Sequence, residues 1–133
     1  MLLRIEELLN NGEDFAFETM LATKSFKNLI ERARKGGYFI SLIYFWLEST
    51  ELAEKRVQTR VEEGGHSIPT EVIRRRYYGG LANLFSIYHE ICDLVIIYDN
   101  SKSLPELLYE KTDEGALVVH NKVKFDKIKG MIS

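Results

Sequence analysis

The sequence predicts an α/β fold: a mostly parallel sheet with helices on both faces, three layers in all. Three observations lead there. Short strand-like runs alternate with helical ones along the 133 residues, the pattern of a layered α/β domain. The strongest run, Tyr38 to Leu47, is apolar on both faces, as a central strand covered on both sides must be. A second apolar run, Asp93 to Tyr98, follows an intervening helical stretch. A parallel crossover of that kind is almost always right-handed and leaves helices against the sheet.

Taken in order, Leu2 to Asn10 reads as a helix with Leu2, Ile5, Leu8 and Leu9 on one side. Asn11-Gly12 stops it. Phe15-Ala16-Phe17 reads as a short strand ending at Glu18-Thr19. Ser25 to Lys35 is a second helix, with Phe26, Leu29, Ile30 and Ala33 inward, closed by Gly36-Gly37. After the Tyr38–Leu47 strand, Ser49 or Thr50 caps a third helix running to about Glu62. Ser67-Ile68-Pro69-Thr70-Glu71 is a helix start, a small polar residue with an early proline and an acid. That helix runs to about Glu90. Asp93 to Tyr98 is a strand, and Asp99-Asn100-Ser101 turns. Ser103 or Leu104 starts a short helix with Pro105 in its first turn, and Ala116 to His120 is a last strand. The basic tail from Lys122 is expected to fray.

One domain is expected over residues 1–133, with a lid helix region at about 64–90 and a tail at about 121–133. Apolar residues make up 45% and charged residues 29%, with a net charge of -2. That balance gives no overall pull toward nucleic acid or an anionic membrane. The single cysteine, Cys92, excludes an internal disulfide or a cysteine-based zinc site and favours a reduced, cytoplasmic setting. The first residues lack the basic head and apolar run of a signal peptide. The longest apolar stretch, Ile40 to Leu47, is too short to span a bilayer.

Three groups of residues could carry chemistry. Glu18 and Thr19 stand at the end of the first expected strand, where open α/β sheets bind ligands. A carboxylate there can hold magnesium, orient a hydroxyl or act as a base. Arg74-Arg75-Arg76 opens the long helix. Its apolar stripe is Ile73, Tyr77, Leu81, Leu84, Tyr88 and Ile91. At about 100° per residue, Arg75 points away from that stripe, while Arg74 and Arg76 flank it. At most two of the three, Arg74 and Arg76 from the rims, can reach a shared phosphate, whose oxygens guanidinium forks match; the alternative is three arginines on a solvated helix face, paired with Glu62, Glu63 or Glu71. Arg76 shares its side with Gly80 and Asn83, small and polar as a cleft wall should be. Gly64-Gly65-His66 reads as a helix stop or the root of a mobile lid. His66, His89 and His120 have no metal-ligand spacing, so no metal site is expected on them.

Together these residues resemble a known family. The succession is Phe15-Ala16-Phe17-Glu18-Thr19, Gly37-Tyr38 opening a strand, Phe45-Trp46-Leu47, and Arg56-Val57 with Arg60-Val61 on a helix. Then come Gly64-Gly65-His66-Ser67-Ile68-Pro69, Glu71 through Tyr77, Asn83-Leu84-Phe85 and Tyr98-Asp99-Asn100. This resembles the zeta-toxin-like P-loop kinases and ATPases. The resemblance implies a P-loop-NTPase-like fold and phosphoryl transfer from ATP, with magnesium, to a hydroxyl such as that of UDP-N-acetylglucosamine. It places Glu18 near the acceptor as the catalytic carboxylate, with Thr19 beside it as a substrate residue. It places the lid at Gly65 to Arg76, so that Arg74 and Arg76 embrace the ATP phosphates. It sets Asp99 and Asn100 after the strand nearest the base. A nucleotide, a small-molecule acceptor and an antitoxin protein are the partners it implies.

The pattern G-x-x-x-x-G-K-S/T is absent: Gly36-Gly37, Gly64-Gly65 and Gly79-Gly80 precede no Lys-Ser/Thr pair. That loop supplies the backbone donors, the lysine and the magnesium-binding hydroxyl of such kinases. Relatives often carry a basic residue where this chain has Gly79. The chain therefore reads as the C-terminal portion of a zeta-toxin-like kinase domain, incomplete on its N-terminal side and inactive by itself. The expectation is a piece of a longer protein or, alternatively, the product of a shortened gene. Apolar sheet edges left open by the missing strand predict self-association. The alternative is a non-catalytic α/β module for nucleotide binding or oligomerisation. RNA binding has the Arg74–Arg76 run in its favour and the net charge against it.

Overall fold

The computed structural model describes Leu2 to Ile132 apart from Glu18, Met20 and His66; of Leu2 and Leu3 it describes the backbone alone. Helix α1 (Leu2–Asn10) and helix α2 (Phe26–Lys35) come first, tied by Arg32 to Glu6 at 2.9 Å. Strand β1 (Ser41–Trp46) follows, then α3 (Thr50–Glu62) and α4 (Thr70–Asn83). Helix α4 runs through a π-helical turn, Leu84–Tyr88, into a last turn α5 (His89–Ile91). Strands β2 (Leu94–Asp99), β3 (Glu106–Lys111) and β4 (Leu117–Val119) and helix α6 (Lys122–Ile132) complete the described chain.

The local reasons are legible. The Ser49 hydroxyl accepts from the Leu52 amide at 3.2 Å and caps α3. At the other end Gly64 adopts φ +99°, and the Gly65 amide donates to the Arg60 carbonyl at 2.6 Å. This is the helix-stop reading of the diglycine. The Asn121 carboxamide accepts from the Lys124 amide at 3.1 Å and starts α6.

The α/β class holds, and the sheet, in the order β1-β2-β3-β4, is mixed. Strands β1 and β2 are parallel, with Leu42 opposite Val95 and Tyr44 opposite Ile97, while β2–β3 and β3–β4 are antiparallel. The expected helix after Ser103 is strand β3 instead. Pro105 stands just before it, a place where a strand tolerates the missing donor. A short turn from β2 makes antiparallel pairing cheaper than a crossover. Phe15–Phe17 is not a strand, since no described strand lies along the free edge of β1. Its rings pack laterally instead: Phe15 on Tyr38 at 6.1 Å and Phe17 on Phe26 at 5.2 Å between centroids. The tail does not fray but forms α6, because Ile128 is fully buried and Phe125, Met131 and Ile132 pack beside it on one stripe.

One core joins the helices to one face of the sheet. Trp46, Leu81, Leu84, Tyr88, Val95, Ile97 and Leu108 are among its most buried side chains. The alternate positions of β1 and β2 face the other way. Phe39, Ile43 and Phe45 are 57%, 51% and 54% exposed, and Phe45 stacks on Tyr98 at 5.7 Å. The described residues thus form two layers, and the third layer expected from a strand apolar on both faces is not among them.

Candidate anion site

Helix α4 sends its three arginines in different directions. Arg74 Nε donates to Glu54 Oε1 of α3 at 2.7 Å, so its charge is matched. Arg75 and Arg76 make no ion pair with any described residue. With Thr19, Ala22 and Thr23 they wall an open hollow of about 400 Å³. The structure therefore brings Thr19 and Arg76 together, adds Arg75, and leaves Arg74 against α3. Glu18 lies outside the described residues, as does His66 beyond the diglycine.

The reason lies in where the 19–23 loop docks. Residues Arg75, Gly79 and Asn83 are spaced i, i+4, i+8 and form one ridge of α4. The loop runs along that ridge. A Cβ on Gly79 would stand 4.0 Å from the Ala22 carbonyl oxygen, and Asn83 Nδ2 donates to the Leu21 carbonyl at 2.7 Å. Arg75 sits at the end of the same ridge, so it faces the loop although it points away from the apolar stripe. On the other side of Thr19 an apolar groove of about 190 Å³ is walled by Phe15, Phe17, Phe26 and Tyr38 among others.

The carboxyl ends of β1 and β2 are closed by side chains of the chain itself. Asp99 is 3% exposed, and Lys124 Nζ of α6 lies 2.7 Å from its Oδ2, 2.8 Å from Glu106 and 3.6 Å from Glu48. The Ser101 amide donates to Asp99 Oδ1 at 3.0 Å, and the Ser101 hydroxyl accepts from the Glu48 amide at 2.9 Å. Burial pushes the Asp99 carboxyl up, but Lys124 and Ser101 together outweigh it and hold it below the usual carboxylate value. Asp99, expected near a nucleotide base, thus has its ligand within the chain. Cys92 is buried and its thiol pushed up to about 11 by that burial, so it is no nucleophile near neutral pH. The His89 ring meets the Tyr109 hydroxyl at 2.7 Å and is held below its ordinary value by burial and by Lys111. Lys111 Nζ donates to the His89 and Cys92 carbonyls, satisfying the end of α5.

Chemically, the hollow pairs two cations without described counter-charges with the Thr19 hydroxyl and with Thr23, whose own hydroxyl donates to Ser25 Oγ at 3.0 Å. That donor set fits a phosphate group. Among the described residues no carboxylate lines the hollow, and no group of three His, Cys, Asp or Glu that could hold a metal occurs. No helix is long and apolar enough to cross a membrane among the described residues.

Fold and site define an α/β domain with a cationic hollow between a helix ridge and a docked loop. A sequence model of the zeta toxin family matches residues 4–113, and the chain belongs to that family, a group of kinase-like P-loop proteins. An uncharacterized protein of Haemophilus influenzae is 29% identical over 63 residues, which are 47% of this chain and 45% of that protein. The aligned stretch thus spans less than half the length of the curated relative. No solved structure matches. Helix α6, which carries Lys124, lies beyond the matched residues.

Arg75, Ala22 and Thr23 were not among the expected site residues. The signal for Arg75 was the small and polar ridge Gly79-Asn83 one and two turns along. It carries that meaning only once the loop is known to lie on it.

Proposed function

We propose that this chain carries the phosphate-binding, acceptor-side portion of an ATP-dependent small-molecule kinase of the zeta-toxin type. The observation that carries the reading is the hollow in which Arg75 and Arg76, unmatched by described carboxylates, face Thr19 and Thr23. Guanidinium groups so placed bind a phosphate and stabilise charge spreading over a transferring phosphoryl group. The acceptor would be a small hydroxyl compound, with a nucleotide sugar as the first to test. Glu18, next to Thr19 in the chain, is the carboxylate assigned to orient that hydroxyl. Arg74 is assigned to α3–α4 packing rather than to phosphate. Because the sequence contains no P-loop pattern, this chain is expected to bind phosphate without turning ATP over.

The test is calorimetric titration with pyrophosphate and with ATP. Arg75→Ala and Arg76→Ala should each weaken binding by about tenfold or more, and Arg74→Ala should leave it unchanged. Equal losses in all three, or no pyrophosphate binding at millimolar concentration, would sink the assignment. The open sheet face favours a second reading, a non-catalytic oligomerisation module. Its mark would be a concentration-dependent mass by light scattering that Phe45→Lys abolishes while pyrophosphate binding stays absent.

A further inference from the structure

The loop that forms one wall of the hollow is held in a conformation its sequence does not favour. Leu21 has φ +57°, the left-handed region that costs a non-glycine residue about 1–2 kcal/mol. Its side chain is buried. Such a residue persists only where its surroundings over-determine it. Here three bonds do so. The Leu21 amide donates to Thr19 Oγ1 at 3.3 Å, Asn83 Nδ2 donates to the Leu21 carbonyl at 2.7 Å, and the Tyr88 hydroxyl donates to the Thr23 carbonyl at 2.7 Å.

Two of those bonds come from one helix, and the π-helical turn explains how. In a regular α-helix, residues five apart are separated by roughly 500°, or about 140° beyond a full turn, and face nearly opposite ways. Asn83 and Tyr88 are five apart, the first just before the wide turn Leu84–Tyr88 and the second its last residue, and at its end the His89 amide donates to the Leu84 carbonyl. A π turn amounts to one inserted residue, which returns the pair to about 40° apart on one face. Asn83 and Tyr88 thereby reach the loop two residues apart along its backbone, on either side of Ala22. Both are buried, and each ties a different carbonyl of the loop to the same helical run.

We infer that Asn83 and Tyr88 are positioning residues. Brought to one face by the π turn, they clamp the strained Leu21–Thr23 backbone and so set Thr19, Ala22 and Thr23 against Arg75 and Arg76. The inference rests on the anion-site reading for its consequence, but the clamp has a signature of its own. Neither residue lines the hollow. Each acts through the backbone that carries the threonines.

The test uses Tyr88→Phe, which keeps the ring in the core and removes only the hydroxyl, with Asn83→Ala as the second variant. Two quantities are measured: amide hydrogen exchange of residues 21–25 without ligand, and pyrophosphate affinity. In each variant, exchange in residues 21–25 should quicken while β2 and β3 amides stay protected, and affinity should fall about 3- to 10-fold. A merely structural residue would lower stability and leave the affinity of the folded protein unchanged. Unchanged loop exchange in Tyr88→Phe overturns the clamp. Faster exchange with unchanged affinity overturns the positioning role. If the wild-type protein binds no pyrophosphate yet the loop exchanges faster in both variants, the anion reading fails and the clamp stands.

Discussion

Replacing Lys124 with methionine tests how the C-terminal helix is held. The ammonium is the one cation within salt-bridge reach of Asp99 among the described residues, at 2.7 Å, and Asp99 is 3% exposed. Breaking a buried pair from one side costs about 3–5 kcal/mol, since the remaining charge is left uncompensated. The Lys124 side chain keeps 23% exposure and Ser101 still donates to the carboxylate, so solvent screening moves the expectation down to about 2–3 kcal/mol. For a chain of this size that is a fall in Tm of about 8–12 °C, read by circular dichroism at pH 7. The pH dependence adds a second check. The Asp99 carboxyl is held below its ordinary value, so its stabilising contribution is present above that ordinary value and is lost as pH falls through the folded one. In Lys124→Met the unpaired carboxylate is relieved by protonation, so the gap between variant and wild type should narrow below about pH 4. Asp99→Asn added to Lys124→Met should recover part of the loss at pH 7. A shift under 2 °C that does not vary with pH would refute the reasoning, and with it the idea that Lys124 fastens α6 to the sheet.

Other outcomes follow from the same geometry. Gly79→Lys adds a cation one turn beyond Arg75, where a Cβ meets the Ala22 carbonyl oxygen at an ordinary 4.0 Å. It should raise pyrophosphate affinity severalfold at low salt, losing the gain at high salt, and should not lower Tm. Gly64→Ala forces a side chain into φ +99° and should cost about 1–2 kcal/mol by urea titration; no change would mean the α3 cap relaxes freely. Cys92, buried with its thiol near 11, should resist a disulfide reagent at pH 8 in the folded protein and react at once in denaturant. Ile43→Lys, on the exposed face of β1, should lower any self-association seen at high concentration without lowering Tm.

The fold was legible wherever a pattern depends on neighbours in sequence. Helices α1 to α4 and strands β1 and β2 appear where periodicity put them, and the Gly64-Gly65 stop follows from backbone freedom alone. It failed where distant partners decide. Pro105 suits the first turn of a helix and the approach to a strand equally well, and only the free edge of β2 selects the strand. Phe15–Phe17 has strand composition but no strand to pair with. Lys122 to Ile132 looked like a basic tail because its apolar residues are sparse, yet Phe125, Ile128 and Met131-Ile132 form a stripe that the core accepts. The site divided in the same way. Helical geometry separated the three arginines in direction, but which direction meets a ligand depends on the docked loop and on Glu54, twenty positions before Arg74.

That division shows what kind of object the hollow is. Three adjacent arginines are chemically alike, and their environments separate them: α3 supplies a carboxylate for Arg74, while the 19–23 loop offers Arg75 and Arg76 hydroxyls and backbone but no described acid. A helix that only needed solubility could have had all three matched by surface glutamates. Here the two without a described counter-charge face a loop whose strained Leu21 carbonyl accepts from Asn83 and whose Thr23 carbonyl accepts from Tyr88, both on one helical run. Backbone strain, an irregular helical turn and cations without described counter-charges meet along the Arg75–Tyr88 run and the loop docked on it. Of these, the left-handed Leu21 carries a cost to stability that an ordinary helix–loop contact avoids. Their convergence on one hollow is the physical case for ligand binding there, and it is independent of the family match. The absence of a P-loop pattern bears on a different quantity. It removes the backbone donors that would hold the remaining phosphates of ATP, so the hollow should hold pyrophosphate and ATP with similar affinity, where a complete kinase site would strongly prefer the nucleotide.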